Sequence, residues 1–258
     1  IVLGLVCFNS AEAMTVTANG TAQVDTAQSK FGGGSLETTN VTTDFLSVPD
    51  SAEFAFGAGD FTLEVFYRNA ANPSLTEGFI GQRAASQYSF VFYRSGTNAL
   101  SFAYTENCST EVDTTVTWDP AENTWYHLAV TRDSSDDLRF FVDGTQVGAT
   151  TNIGAASFCN STASLTIGGV NTIIQAPEDW LDEIRVSNVA RYTANFTAPT
   201  SAFCGDVAGT VLLVHADGTD GSTTFSDDES ACGGGAEEGH RRIIESMKFE
   251  DAVKIKLI

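Results

Sequence analysis

Short runs of β-branched, aromatic and alternating residues return about every ten positions along this chain, and each is closed by a turn cluster. Thr15–Ala18 runs into Asn19-Gly20, and Phe45–Val48 stops at Pro49-Asp50. Phe61-Thr-Leu-Glu-Val-Phe-Tyr67 alternates strictly, so Phe61, Leu63, Val65 and Tyr67 fall on one face of a strand. Tyr88–Tyr93 ends at Ser95-Gly96 and is followed by Ala99–Tyr104. Trp125–Val130 precedes Leu138–Val142, which turns at Asp143-Gly144 into Thr145–Gly148, a hairpin signature. Leu165–Ile167, Leu181–Val186 and Val211–His215 complete the series, and no amphipathic stretch of ten helical residues precedes position 239. Such spacing leaves room for strands and turns and for little else. The expected fold class is all-β, an antiparallel jelly-roll β-sandwich.

Composition narrows the function classes. Fifty-three Ser and Thr residues and 18 Phe among 258 residues suit a sheet protein with a sizeable core. Thirteen basic against 33 acidic residues leave a formal charge of -20, which repels phosphate backbones, so nucleic acid is excluded as a partner. No apolar run approaches the roughly 18 residues of a transmembrane helix. Charge is uneven. Residues 239–258 carry Arg241, Arg242, Lys248, Lys254 and Lys256 against three acids, a tail near +2 on a body near -22. The acidic body suits calcium, cationic partners, a salty medium or plain solubility.

None of the five cysteines forms a C-x-x-C pair, and the three histidines lie far from zinc-ligand spacing. Cys108 and Cys159 both sit in Asn- and Ser-rich loop sequence, and we pair them with each other and Cys204 with Cys232, leaving Cys7 free or intermolecular. Glycosylation sequons begin at Asn19, Asn40, Asn107, Asn160 and Asn195. Ile1–Phe8, followed by Ser10-Ala-Glu-Ala13, has the outline of a signal-peptide end without a basic flank; a buried strand explains the same run. These features permit an extracellular or cell-surface placement, to which the family resemblance adds a virion surface.

Ordered motifs then carry a resemblance. Ser29-Lys-Phe-Gly-Gly-Gly-Ser-Leu36, Phe45-Leu-Ser-Val-Pro-Asp50 and Phe54-Ala-Phe-Gly-Ala-Gly-Asp-Phe-Thr-Leu-Glu64 come first. Trp125–Arg132, Leu138-Arg-Phe-Phe-Val-Asp-Gly144, Leu165-Thr-Ile-Gly168, Trp180-Leu-Asp-Glu-Ile-Arg-Val-Ser187 and Val189–Thr197 follow. The series resembles the laminin-G-like, concanavalin-A-like jelly rolls of secreted, bacterial-surface and phage virion proteins. It implies a jelly roll over 14–203, an extension or strand at 1–13, a displaced opening-strand segment at 204–238 and the basic tail at 239–258. In tandem members of that family a strand like Thr210–Gly218, with a Gly-Ser-Thr-Thr-Phe turn, opens each repeat. Here it comes last. A circular arrangement, a truncated repeat or a strand exchanged with a neighbour would each explain that order.

Catalysis finds little support. The strand pattern of paired glycosidase carboxylates is missing, Glu178-Asp179 and Asp182-Glu183 being the nearest pairs, and no Gly-x-Ser-x-Gly elbow occurs. By resemblance, Asp182 would ligate Ca2+ with Asp217 and the backbone near Gly34; otherwise Asp182 closes a strand turn and pairs with Arg185 or Arg191. Asp133–Asp137 is a second acidic cluster, more readily read as a solvated hairpin loop. Trp118, Tyr104, Tyr88 and Tyr93 are candidate sugar-stacking aromatics, with loops 69–78, 105–120 and 170–179 as rims. The first functional expectation is a non-catalytic surface module, a subunit of a fibre, appendage or capsid decoration. It would assemble with neighbouring copies or other subunits through Ile1–Phe8 and the region after Cys204. The alternative is a lectin-like carbohydrate-binding or adhesion domain that takes cell-surface glycans; a glycoside hydrolase ranks last.

Overall fold

A computed structural model describes residues 13–39, 41–70, 76–96, 98–169, 179–205 and 207–228. Its strands are β1 (Thr17–Asn19), β2 (Gln23–Asp25), β3 (Ser35–Thr38), β4 (Phe45–Val48) and β5 (Phe61–Asn69). They continue as β6 (Glu77–Ala84), β7 (Gln87–Arg94), β8 (Ala99–Thr105), β9 (Glu111–Thr117) and β10 (Trp125–Arg132). The last are β11 (Asp137–Val142), β12 (Thr145–Asn152), β13 (Leu165–Ile167), β14 (Asp179–Ser187) and β15 (Thr210–Val214). A seven-stranded sheet runs β1-β4-β13-β6-β7-β8-β9, and an eight-stranded sheet runs β12-β11-β10-β5-β14-β3-β2 with β15 also on β14. Every pairing is antiparallel. The fold is thus a concanavalin-A-like jelly-roll sandwich.

The alternation in β5 explains how the sheets meet. Phe61, Leu63, Val65 and Tyr67 are buried against the facing sheet's Phe90, Phe92, Leu100 and Phe102. Aromatic packing dominates: Phe61 meets Phe56 at 5.1 Å and Phe102 at 5.2 Å, and Tyr104 stacks on Phe158 at 4.6 Å. At the β11–β12 hairpin, Asp143 (φ 48) and Gly144 (φ 77) both take the left-handed conformation that a two-residue turn of this hand requires.

The displaced strand is settled within one chain. β15 pairs with β14 through Ile184↔Val214, Arg185↔Leu213 and Val186↔Leu212, and Leu212, Leu213 and Val214 are fully buried. Assembly through this strand is therefore corrected: its apolar run is consumed by its own sandwich, as a run burying both faces should be. Ile1–Phe8 and the tail from 239 lie outside the described residues.

The outer face of the eight-stranded sheet is only partly open. Residues 188–203 cross it as a strap, held where Thr62 Oγ1 donates to Val189 O (2.8 Å) and Thr131 Oγ1 to Tyr192 O (2.9 Å). Tyr192 OH reaches Glu64 Oε2 at 2.8 Å, and Phe203 N donates to Glu183 Oε2 at 2.6 Å. Under the strap, burial opposes ionisation of Glu64, yet His127 at 3.0 Å and Arg185 at 2.8 Å hold its carboxyl down to about 2. The strap covers the rows of Phe66, Glu64 and Thr62. At the next row, Trp125 packs against the cluster that holds Phe66 and the strap's Phe203.

Candidate functional site

Asp182, Asp217 and Gly34 come together at the loop before β3. Asp182 Oδ2 accepts from Lys30 N (2.8 Å) and Phe31 N (3.0 Å), and its Oδ1 accepts from Glu183 N (2.8 Å). Asp217 Oδ1 accepts from Gly34 N at 3.3 Å. Gly32 has φ +64, and a Cβ there would fall 1.9 Å from Asp217 Oδ2, so glycine is needed for both conformation and space. Burial, aided by the charges of Glu183 and Asp217, pushes Asp182 up to about 7 against the pull of its N–H donors. Three N–H dipoles point their positive ends at this carboxylate, and among the described residues no third His, Cys, Asp or Glu converges on it. The donor set fits a backbone-clamped carboxylate and does not fit a calcium cage, which needs converging oxygens. Nor does Asp182 pair with arginine, since Arg185 and Arg191 both turn to Glu64. In the hairpin loop, Asp133 and Asp137 pair with Arg139, and Asp136 pairs with Arg132.

The four candidate stacking aromatics are buried: Trp118 8% exposed, Tyr104 5%, Tyr88 4% and Tyr93 7%. Trp118 packs edge-on against Tyr67 and Tyr126, and Tyr104 lies on Phe158. Tyr88 and Tyr93 cluster with Val91 and Ala103, and the Arg83 guanidinium covers Tyr88 at 4.3 Å. None offers an open ring face. The stacking assignment is corrected on that ground, because sheet alternation alone cannot tell a covered ring from an open one.

Cys108 and Cys159 form a disulfide with Cα atoms 5.2 Å apart, joining the β8–β9 turn to the segment before β13. Cys204 is also disulfide-bonded; Cys7 and Cys232 both lie outside the described residues. Of the sequon asparagines, Asn107, Asn160 and Asn195 are exposed, and Asn40 is outside the described residues. The Asn19 amide is committed to Thr17 O, Phe45 O and Ser47 Oγ.

Beyond the strap, the same outer face carries a row that the sequence did not single out. Trp125 on β10 stands opposite Arg68 on β5, Arg68 opposite Trp180 on β14, Trp180 opposite Glu37 on β3, and Glu37 opposite Gln23 on β2. Direct cross-strand partners share a face, and all five side chains are partly exposed. The inner partners of the row, Tyr67, Leu181, Leu36 and Val24, are fully buried. The Arg68 guanidinium lies 4.8 Å from the Trp180 ring centre, and its Nη2 donates to Asn123 Oδ1 at 3.0 Å. Trp180 Nε1 donates to Asp25 Oδ2 at 2.6 Å, and Gln23 Nε2 to Glu37 Oε2 at 2.9 Å. Arg68 Nη1 is buried from solvent and has no hydrogen-bond partner. Both indoles are partly exposed, as are Phe31, Phe45, Tyr126, Tyr192 and Phe196. Strand-by-strand periodicity shows which residues point outward; only the register reveals that five of them line up.

Directly behind the row, between the sheets, Tyr67 OH lies 2.7 Å from Asp179 Oδ2 and 3.0 Å from Glu77 Oε2, with Arg94 Nη1 3.2 Å from Glu77. Asp179 Oδ1 accepts from Ala70 N at 2.8 Å. The anchor ties β5, β6, β7 and β14 together just inside Arg68 and Trp180.

Fold and row together define a jelly-roll β-sandwich with partly exposed polar and aromatic side chains on the outer face of one sheet. The family described as the "Concanavalin A-like lectin/glucanases superfamily" matches residues 39–195, and the chain belongs to that superfamily. No curated protein matches it. Similar solved structures include the binding domain of botulinum neurotoxin serotype G (10% identity, TM-score 0.57, 71% of this chain and 45% of that one). The binding domain of Paraclostridial Mosquitocidal Protein 1 is similar at 12% identity and TM-score 0.55, over 69% and 45%. A "putative carbohydrate binding protein" from Bacteroides ovatus is similar at 18% identity and TM-score 0.53, over 80% and 53%. At these identities the likeness is one of fold, and the chain spans about half the length of the structures it matches.

Proposed function

We propose that this chain is a non-catalytic, lectin-like carbohydrate-binding module of an extracellular protein. The observation that carries the reading is the row Trp125–Arg68–Trp180–Glu37–Gln23 in direct register on the outer face of the eight-stranded sheet. The Trp125 indole supplies apolar area for the C–H face of a sugar, one face of Trp180 being covered by Arg68, while a carboxylate and an amide supply acceptors and donors for hydroxyls. The Cys108–Cys159 disulfide supports an oxidising compartment. A similar structure described as a carbohydrate binding protein supports the ligand class. A glycan array probed with the purified chain tests it. Saturable binding that Arg68→Ala and Trp125→Ala abolish, at unchanged melting temperature, is the expected result. Binding indifferent to both substitutions would remove the row from the site.

The alternative of a structural subunit loses its strand argument once β15 is seen on its own β14.

A further inference from the structure

We infer that Phe225–Asp228 forms a latch on the outer edge of β15, held by a proton on His215 and released when that proton is lost. The inference does not rest on the row or on its ligand. Geometry is the first support. His215 follows β15, and both nitrogens of its ring face carboxylate oxygens: Nδ1 lies 2.8 Å from Glu183 Oε1, and Nε2 lies 2.8 Å from Asp228 Oδ2. A neutral imidazole has one N–H and can donate to one of these partners; only the imidazolium donates to both. Protonated His215 thus joins β14 to the segment after Phe225 through two charge-assisted bonds.

What the segment covers is the second support. Leu213 turns its backbone groups away from β14: its N–H donates to Asp227 Oδ1 at 3.0 Å, and its carbonyl accepts from Asp228 N at 2.8 Å. Asp227 Oδ2 also accepts from Met14 N at 2.9 Å, so one carboxylate ties the residues before β1 to β15. Phe225 is buried, but Ser226, Asp227 and Asp228 are at least partly exposed. Polar bonds, more than apolar burial, therefore hold these last three residues in place.

Charge decides which contact gives way. The Glu183 side chain is buried and its second oxygen accepts from Phe203 N at 2.6 Å, whereas the Asp228 side chain is 29% exposed. Neutral His215 keeps its one hydrogen on Nδ1 for Glu183, since an uncompensated buried carboxylate is the costlier loss. Its Nε2 lone pair then meets Asp228 Oδ2, acceptor against acceptor. The groups facing the ring are Glu183 from β14, Asp217 from the segment after β15, and Asp228, with Asp227, raised by burial, next to it. All four are acids, so losing the imidazolium charge leaves a repulsion that favours release. The bond to Glu183 raises His215 above its ordinary value of 6.5. The latch is accordingly held in full below that value and lost as pH rises through the higher folded one.

Native-state hydrogen exchange, followed from about pH 6 to about pH 9 beside an NMR titration of the His215 ring, tests the inference. Corrected for intrinsic rate, protection of the Leu213 and Met14 amides should fall about tenfold for each unit by which folding raises His215, with the midpoint of the ring's own titration. Both amides should exchange faster than Leu63 in β5 at every pH, the mark of an opening short of unfolding. Asp228→Asn supplies an amide N–H that neutral His215 Nε2 can accept, so Leu213 protection in that variant should stay level across the titration. His215→Gln should be level as well, and if it fails to fold Asp228→Asn still decides. Leu213 protection that ignores the His215 titration, exchange of Leu213 only at the rate of Leu63, or an undiminished slope in Asp228→Asn would each overturn the latch.

Discussion

Two buried carboxyls share one phenol in the anchor behind the row. Tyr67 lies within hydrogen-bond distance of both Asp179 and Glu77, yet a phenol has a single hydrogen to give. Tyr67 OH gives it at 2.7 Å to Asp179, while Arg94 Nη1 donates to Glu77 at 3.2 Å and to the Tyr67 oxygen at 3.4 Å. Burial, with Glu77 close by, pushes Asp179 up to about 7. A carboxyl whose folded pKa lies above its unfolded value favours folding most at low pH, and that contribution fades as pH rises through the folded pKa. Stability should therefore fall from about pH 4 to pH 7, by a few kcal/mol for this group. Asp182, also pushed up to about 7, and His215, raised by its bond to Glu183, act with the same sign. Asp179→Asn should flatten its share of the slope in urea titrations run from pH 4 to 8; an unchanged slope would mean that Asp179 is ionised throughout.

Single elements differ in how plainly they could be read. β5 and the β11–β12 hairpin were legible because alternation and an Asp-Gly turn are local properties. β2, β3, β6 and β9 were not. β3 follows three glycines, β6 contains Gly78 and Gly81, and β9 reads Glu-Val-Asp-Thr-Thr-Val-Thr, so each is made a strand by its neighbours' free edges. Gly144 shows how tightly one turn is bound to the rest. A Cβ there would lie 2.1 Å from Phe196 O in the strap, so Gly144→Ala should cost about 1–3 kcal/mol in a thermal melt. Gly96→Ala, with left-handed φ but nothing within 4 Å, should cost only the conformational strain, about 1–2 kcal/mol. In β15, Leu212→Ala should destabilise by about 2–4 kcal/mol at every protein concentration. A melting temperature that rises with concentration would instead indicate an exchanged strand.

At the scale of the molecule, two constraints act on a sandwich that carries net charge -20. The Cys108–Cys159 bridge spans 51 residues of sequence, and removing it by Cys159→Ala should cost roughly 3–4 kcal/mol by loop entropy. Chelation with EDTA should leave the melting temperature unchanged, since backbone N–H groups already satisfy Asp182. A rise of several degrees on adding calcium would show that the loop before β3 reorganises around a cation.

Period-two hydrophobic patterning and turn chemistry, both local, determined the all-β class and most strands, ordered motifs carried the jelly-roll resemblance, and the loop sequence around Cys108 and Cys159 suggested their pairing. Three matters were left to the tertiary structure because each depends on contacts between residues far apart in sequence. The first is that β15 closes its own sandwich, which turns on which edge is nearest. The second is that Tyr88, Tyr93, Tyr104 and Trp118 are covered, which turns on the packing above each ring. The third is the site itself. Gln23, Glu37, Arg68, Trp125 and Trp180 come from five strands spread over 158 residues, and only the inter-strand register sets them in one row.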